Sequence, residues 1–117
     1  MSLATIIKNS DQGKEKHLPD ISIKACSSCG ELSVTIQVGK ELIHPSLIEH
    51  HINTIILYGL TKEDQLKQLS LFQLGEEMTI PRVRTTIKKD QFKKLIATSY
   101  CNIHGLWENE IAIQQGE

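Results

Sequence analysis

Cys101 and His104 stand three residues apart near the end of the chain, directly before Gly105. A loop that follows a strand can aim both side chains at one point, and Gly105 allows the backbone to turn away. A thiolate together with imidazoles is a ligand set for a borderline transition metal such as iron, copper or zinc. A single cysteine is more often a small apolar core residue than a ligand, so this pair alone does not establish a metal site.

A second pair of candidate ligands lies in the middle of the chain. His44 and His50 are six residues apart with Pro45 between them, so one short turn can return the second imidazole beside the first. Pro45 suits the first position of a helix and predicts a short helical turn through His50. His51 should point elsewhere, because adjacent residues do not share a face. An ordinary loop with solvated histidines fits this segment equally well.

The remaining histidine, His17, follows Glu15 and Lys16 in a polar N-terminal segment. Taken alone, such a run of charged residues is typical of a solvated arm. All five histidines, however, lie in segments that contain a proline or glycine and flank candidate strands. Segments of this kind cluster at one end of a β-sandwich, where loops carry function.

The elements that must position these residues are short strands. Apolar and polar residues alternate with period two, as in half-buried strands, and helical patterning is scarce. Residues 66–74 also allow a helix, but strand is preferred. The fold prediction is an all-β, seven-stranded, immunoglobulin-like antiparallel sandwich. Its strands are expected at 21–25, 32–38, 52–60, 66–74, 79–87, 94–100 and 108–114.

Length and charge limit the classes of function. A chain of 117 residues supports one domain, here an N-terminal arm at 1–19 that contributes to the metal site and a sandwich at 20–117. A formal net charge of -1 gives no nucleic-acid footprint or polybasic membrane anchor. The apolar runs are too short to span a bilayer, and the N-terminus lacks the pattern of a signal peptide. We therefore expect a cytoplasmic protein with no membrane partner.

The three cysteines are too few for a disulfide framework. Cys26 and Cys29 form a Cys-x-x-Cys run at the expected tip of the first hairpin. Such a run can bind zinc or an iron–sulfur cluster or form a redox disulfide. A four-cysteine site would need two more thiols, and only Cys101 remains. An incidental pair at the hairpin tip is the preferred interpretation.

Three blocks of sequence, taken together, resemble the superoxide reductase family, specifically its single-iron, neelaredoxin-type class. The resemblance covers residues 15 to about 113, and the blocks stand in the order of the family. They are Glu15-Lys16-His17-Leu18-Pro19, then Val38-Gly39-Lys40-Glu41 running on to His44-Pro45 and Glu49-His50-His51-Ile52, and finally Ser99-Tyr100-Cys101-Asn102-Ile103-His104-Gly105-Leu106-Trp107-Glu108.

The resemblance implies one mononuclear non-haem iron per chain, with four imidazole ligands and one thiolate. The equatorial imidazoles would be His17, His44, His50 and His104, and Cys101 would be the axial ligand. His104 is expected to bind through Nδ1 and the others through Nε2, while His51 either contacts the ligands without binding the metal or is structural. Backbone N–H groups of Ile103 and His104 should donate to the Cys101 sulfur.

The implied reaction is the one-electron reduction of superoxide to hydrogen peroxide, with iron cycling between Fe2+ and Fe3+. Lys16 would steer superoxide and position a proton-donating water, and Glu15 would ligate the ferric iron. The family further implies a rubredoxin-like or other small electron donor and a homotetramer. Resemblance is weakest at residues 61–93, which bear on subunit packing and donor docking rather than on the ligands.

Two other functions remain open at the level of sequence. A non-catalytic iron or copper electron carrier would also combine cysteine and histidine on a β-sandwich. Blue-copper sites use two histidines, one cysteine and a weak axial methionine, but Met78 is not in the expected loop and four candidate histidines are too many. A structural zinc-binding module is the other alternative, and it would be colourless and redox-silent.

Overall fold

The computed structural model describes residues 1–10, 17–26 and 28–113. These residues form one short helix and seven strands, in agreement with the predicted all-β architecture. The helix, α1, spans Leu3–Ile6, and it is neither long nor apolar enough to cross a membrane. The strands are β1 (Pro19–Ala25), β2 (Glu31–Val38), β3 (Ile52–Thr61), β4 (Leu66–Gln73), β5 (Arg82–Lys88), β6 (Phe92–Cys101) and β7 (Gly105–Ala112).

The strands pair into two antiparallel sheets that pack as a sandwich. One sheet has the order β1-β2-β5 and the other β4-β3-β6-β7. This order resembles the immunoglobulin arrangement, in which the first, second and fifth strands share one sheet and the third, sixth and seventh share the other. The fourth strand, which joins the first sheet in constant-type immunoglobulin domains, pairs with β3 here. An antiparallel sheet needs only short turns between neighbours, which fits the brief polar connections of this chain.

The core lies between the sheets and extends to one end of the sandwich. Alternate residues of β2 and β6 point inward, as period-two patterning requires. On β6 the inward series is Leu95, Ala97, Ser99 and Cys101, each with no exposed surface. Cys101 therefore ends the core series at the point where the strand reaches the loops.

Two local predictions were wrong in detail. The strand expected from 79 begins at Arg82, directly after Pro81. No helix forms between Pro45 and His50, where the backbone N–H of each of Leu47 and His50 bonds the carbonyl of the other. A helix would need the Leu47 carbonyl for the His51 N–H, but His51 Nδ1 bonds that carbonyl instead and its N–H bonds Asn102.

The β1–β2 hairpin is present as predicted, and its tip carries a cross-link. Cys26 and Cys29 form a disulfide, so the interpretation as an incidental pair was wrong. Sequence counting did not identify this bond because spacing alone is compatible with zinc, cluster or disulfide chemistry. Cys101 keeps a free, buried thiol.

Gly39 shapes the loop that leads from β2 to His44. Its φ is +90°, and a Cβ at this position would stand 2.2 Å from the Leu42 carbonyl oxygen. The tight turn lets the His44 N–H donate to the Val38 carbonyl at 2.9 Å. The position of the His44 imidazole thus depends on a backbone conformation that glycine alone adopts without strain.

We expect Gly39→Ala to destabilise the protein by more than about 2 kcal/mol, since a left-handed φ and a backbone clash act together. Gly30→Ala is the matched control, because Gly30 also has a positive φ, +56°, but has open space around its Cβ position. Urea unfolding of both variants measures the difference. Equal losses would show that the Gly39 turn can relax around a methyl group.

Candidate metal centre

One end of the sandwich collects the candidate ligands because four strand ends meet there. Pro19 at the start of β1 pairs with Val38 at the end of β2. Ile52 at the start of β3 likewise pairs with Cys101 at the end of β6. The segment before β1, the loop from β2 to β3 and the end of β6 with the turn that follows it therefore converge. These three segments carry His17, then His44 and His50, then Cys101 and His104.

The side chains of these segments form one compact cluster. Ligand atoms of His17, His44, His50 and Cys101 all lie within 4.8 Å of one another. His104 joins them, with its Nδ1 2.9 Å from His17 Nε2. His17, His44 and Cys101 are buried, and His50 and His104 are partly buried. Five of the predicted ligands lie in the part of the chain that the structure describes, and the structure brings all five together.

The four imidazole rings stand at the corners of an approximate square. His44 and His104 each neighbour both His17 and His50, with ring centroids 4.5 to 5.1 Å apart. The diagonal between His17 and His50 is longer, 6.2 Å. An arrangement of this kind suits four in-plane ligands around one ion.

The Cys101 sulfur lies between opposite corners of this square. Its Sγ is 3.7 Å from His44 Nε2 and 3.7 Å from His104 Nδ1. Equal distances place the sulfur on the plane that bisects the line between these two nitrogen atoms, which is compatible with a position near the axis of the square. One of the two predicted backbone donors is present, since the His104 N–H donates to Sγ at 3.4 Å.

Hydrogen bonds to backbone groups orient the rings. His44 Nδ1 lies 2.8 Å from the Pro45 carbonyl, which can only accept, so Nδ1 carries the proton and Nε2 is left as the donor atom for a metal. His104 faces the cluster through Nδ1, as expected. Ligands at right angles with metal–nitrogen bonds of about 2.1 Å lie ~3 Å apart, which agrees with the 2.9 Å between His104 Nδ1 and His17 Nε2.

The donor set fits iron better than the two alternatives. Four imidazoles exceed the two of a blue-copper site, and Met78, the methionine considered for such a site, is exposed. Structural zinc sites use four ligands in a tetrahedron, whereas five donor atoms approach one centre here. Imidazole and thiolate together suit iron.

His17 is held by residues to which the sequence analysis gave no role. The buried Ser99 hydroxyl donates to the His17 carbonyl at 2.9 Å. The Trp107 ring stacks on the His17 ring at 4.7 Å with planes 11° apart. Lys8 places its ammonium 4.9 Å from the Trp107 ring centre and donates to the His104 carbonyl at 3.0 Å. The described part of the N-terminal arm thus packs against the site.

Asn102 connects the two segments that carry His50 and Cys101. Its Oδ1 accepts from the His51 N–H at 2.8 Å, and its Nδ2 donates to the Glu49 carbonyl at 3.1 Å. Its own N–H donates to the His51 carbonyl at 3.2 Å. These three bonds fix the spacing of two loops that are distant in sequence.

Among the described residues, the fifth histidine, His51, does not join the cluster. His51 turns away as expected, and its Nδ1 donates to the Leu47 and Ile48 carbonyls at 2.9 and 3.1 Å. Its Nε2 lies 3.8 Å from the Glu76 carboxylate. Glu15 and Lys16 lie outside the described residues, and their predicted roles stay predictions.

Known proteins with similar sequences and folds share this architecture. The profile of the desulfoferrodoxin family matches residues 9–110. A superoxide reductase of Pyrococcus abyssi is 38% identical, over 96% of this chain and 99% of its own length. Neelaredoxin of Megalodesulfovibrio gigas is 31% identical, over 97% and 98%. A crystal structure of superoxide reductase in the oxidised state superimposes with a TM-score of 0.86 at 32% identity, covering 97% of this chain and 100% of that one.

Proposed function

This chain belongs to the desulfoferrodoxin family, and from that premise we propose that it is a superoxide reductase. It is an oxidoreductase that passes one electron to superoxide and yields hydrogen peroxide, with iron as its cofactor. The observation that carries this conclusion is the cluster of four imidazoles and one thiol at one end of the sandwich. The named relatives supply the reaction, and the cluster supplies a site for the metal.

In this proposal His17, His44, His50 and His104 would hold the iron through their imidazoles, and Cys101 would hold it through its thiolate. The square of rings and the two equal sulfur distances support these roles. When bound, the iron supplies the electron to superoxide and regains one from an external donor. We further propose that residues 1–19 serve as an arm that contributes His17 and that residues 20–117 make up the sandwich domain.

The surrounding residues tune the thiolate and keep it intact. Donation from the His104 N–H draws electron density from the sulfur and adjusts its strength as a ligand. Cys101 has no exposed surface, so the thiolate is shielded from oxidation by the peroxide produced. The Lys8 ammonium beside Trp107 adds positive charge on the side of the arm, which favours an anionic substrate.

We expect Lys16→Ala to slow the reaction with superoxide and to flatten its dependence on ionic strength, because Lys16 steers the anion and positions a proton-donating water. Pulse radiolysis at several salt concentrations measures both effects. Lys24→Ala is the control, since Lys24 is exposed on β1 beyond the reach of the cluster. An unchanged salt dependence in Lys16→Ala would rule out the steering role.

Glu15 is proposed to ligate the ferric iron and to leave on reduction. Glu15→Ala is then expected to change the absorption spectrum of the oxidised protein while reduction stays rapid. Identical oxidised spectra in the variant and the parent protein would remove Glu15 from the ligand set.

The proposal includes a partner protein and an assembly. Exposed Leu47, Ile48 and Ile103 lie on the loops around the cluster and offer an apolar surface to a small, rubredoxin-like electron donor. Exposed Leu66, Leu71 and Tyr100 lie on the four-stranded sheet and support self-association into a homotetramer. Stopped-flow reduction by rubredoxin and the mass in solution by light scattering test these two points. We also propose a cytoplasmic location, which cell fractionation tests.

Mixing the iron-loaded protein with superoxide generated by pulse radiolysis tests the function. A reductase gives one hydrogen peroxide per superoxide without releasing dioxygen, while electrons come from the reduced iron. Dioxygen release would identify a dismutase instead. A protein that binds iron but leaves superoxide to decay at its uncatalysed rate would be an electron carrier.

A further inference from the structure

The Cys26–Cys29 disulfide lies at the opposite end of the sandwich from the metal cluster. β1 begins at Pro19, two residues after His17, and ends at Ala25, one residue before the disulfide. Seven residues of extended strand span about 20 Å. The disulfide therefore takes no part in binding the metal, and it needs an explanation of its own.

The hairpin tip does not depend on this bond for its shape. The Cys26 N–H donates to the Glu31 carbonyl at 3.3 Å, and the Lys89 N–H donates to the Gly30 carbonyl at 2.9 Å. The last pair of the ladder, Ala25 with Leu32, is in regular register. A disulfide that closes so short a loop constrains the unfolded chain less than one that closes a long loop. The bond can therefore open while the sheet stays folded.

The two sulfur atoms differ in their surroundings. Cys29 is exposed, whereas Cys26 is partly buried and lines a shallow hollow of about 230 Å³ with Lys24 and Glu31. Lys88 lies directly across from Glu31, and Lys89 follows it. The ammonium group of Lys24, which lines the hollow beside Cys26, and that of Lys88, across from Glu31, favour a departing thiolate on this side. An incoming thiolate thus reaches Cys29 more readily, and Cys26 is the better leaving group.

We propose that Cys26–Cys29 is a redox-active disulfide that accepts two electrons from a dithiol protein by thiol–disulfide exchange. The partner's thiolate attacks Cys29 Sγ, the Cys26–Cys29 bond breaks, and Cys26 leaves as a thiolate. The partner's second thiol then attacks the sulfur of the partner's first cysteine in the mixed disulfide, and Cys29 leaves as a thiolate. The partner ends as a disulfide, and its two protons end on Cys26 and Cys29.

The first test titrates the iron-loaded full chain with mixtures of reduced and oxidised dithiothreitol under native conditions. Free thiols are labelled with N-ethylmaleimide and counted by mass spectrometry. We expect two additional labelled thiols per chain on reduction and their loss on reoxidation, with the visible spectrum of the iron and the circular dichroism unchanged. Reduction that occurs only after unfolding, or that unfolds the protein, would assign the bond a structural role and overturn the proposal.

The second test identifies the sulfur that is attacked. A thioredoxin-type protein whose second active-site cysteine is replaced by serine stops the exchange at the mixed disulfide. We expect peptide mapping to find the adduct on Cys29, and Cys29→Ser to abolish the adduct while the iron spectrum is retained. An adduct on Cys26, or none under conditions where dithiothreitol reduces the bond, would contradict the exchange as written.

Discussion

Cys101→Ser is expected to remove the long-wavelength absorption of the oxidised protein and to lower the rate of superoxide reduction by more than about 100-fold. Loss of a group that only orients a ligand already costs 10- to 100-fold in metal affinity or activity, roughly speaking, so loss of the thiolate itself should cost more. A serine hydroxyl stays protonated and is a poor ligand for this ion. Absorption spectroscopy and pulse radiolysis measure these two consequences, and iron analysis measures how much metal the variant still binds.

A change of fold must be excluded as the cause. Ala97→Ser buries the same hydroxyl on the same face of β6, since Ala97 and Cys101 both have no exposed surface. We expect Ala97→Ser to be less stable but to keep the long-wavelength absorption of the oxidised protein. Cys101→Ser should lose this absorption and still unfold in one cooperative transition. Retention of the red absorption in Cys101→Ser would show that the colour does not arise from an iron–thiolate bond.

The strands could be predicted because each is encoded by its own residues. In β2 the inward positions Leu32, Val34, Ile36 and Val38 alternate with polar ones, and the structure buries the same set. β4 gave an ambiguous pattern, because two of its four apolar residues, Leu66 and Leu71, are exposed in an edge strand. Alternation therefore identifies strands most clearly where one face lies in the core.

The candidate ligands were identified from residue types and resemblance, but their supports were not. Lys8 contacts Trp107, and Ser99 bonds the His17 carbonyl, across 99 and 82 residues of sequence respectively. Contacts of this range follow from how the sheets and the arm pack, and no local pattern records them. The misassigned turn before His51 has the same origin, since Asn102 takes the N–H that a helix would have used.

Asn102 is the support with the largest expected effect, because it joins both loops that carry ligands. Its side chain alone makes two hydrogen bonds to the segment containing His50, each contributing about 1 kcal/mol. Without them, the rings of His50 and His104 are free to move apart. Iron then binds more weakly, because part of the binding free energy is used to order the two loops.

We therefore expect Asn102→Ala to weaken iron binding by about 10- to 100-fold, measured by competition with a chelator. Asn102→Asp should lose less, since its carboxylate still accepts from the His51 N–H but cannot donate to Glu49. In the iron-free protein, the His51 amide should exchange with solvent faster in the alanine variant than in the aspartate variant.

Asn53→Ala provides the comparison for these variants. In the part of the chain that the structure describes, the Asn53 side chain accepts a hydrogen bond from the neighbouring Thr54 hydroxyl and makes no bond between the two loops. Its iron affinity and the exchange of the His51 amide should match those of the parent protein. If Asn53→Ala and Asn102→Ala weaken iron binding equally, general destabilisation explains the loss and Asn102 has no specific role in joining the loops. If only Asn102→Ala loses affinity, the spacing of the two loops determines how tightly the five donor atoms hold the ion.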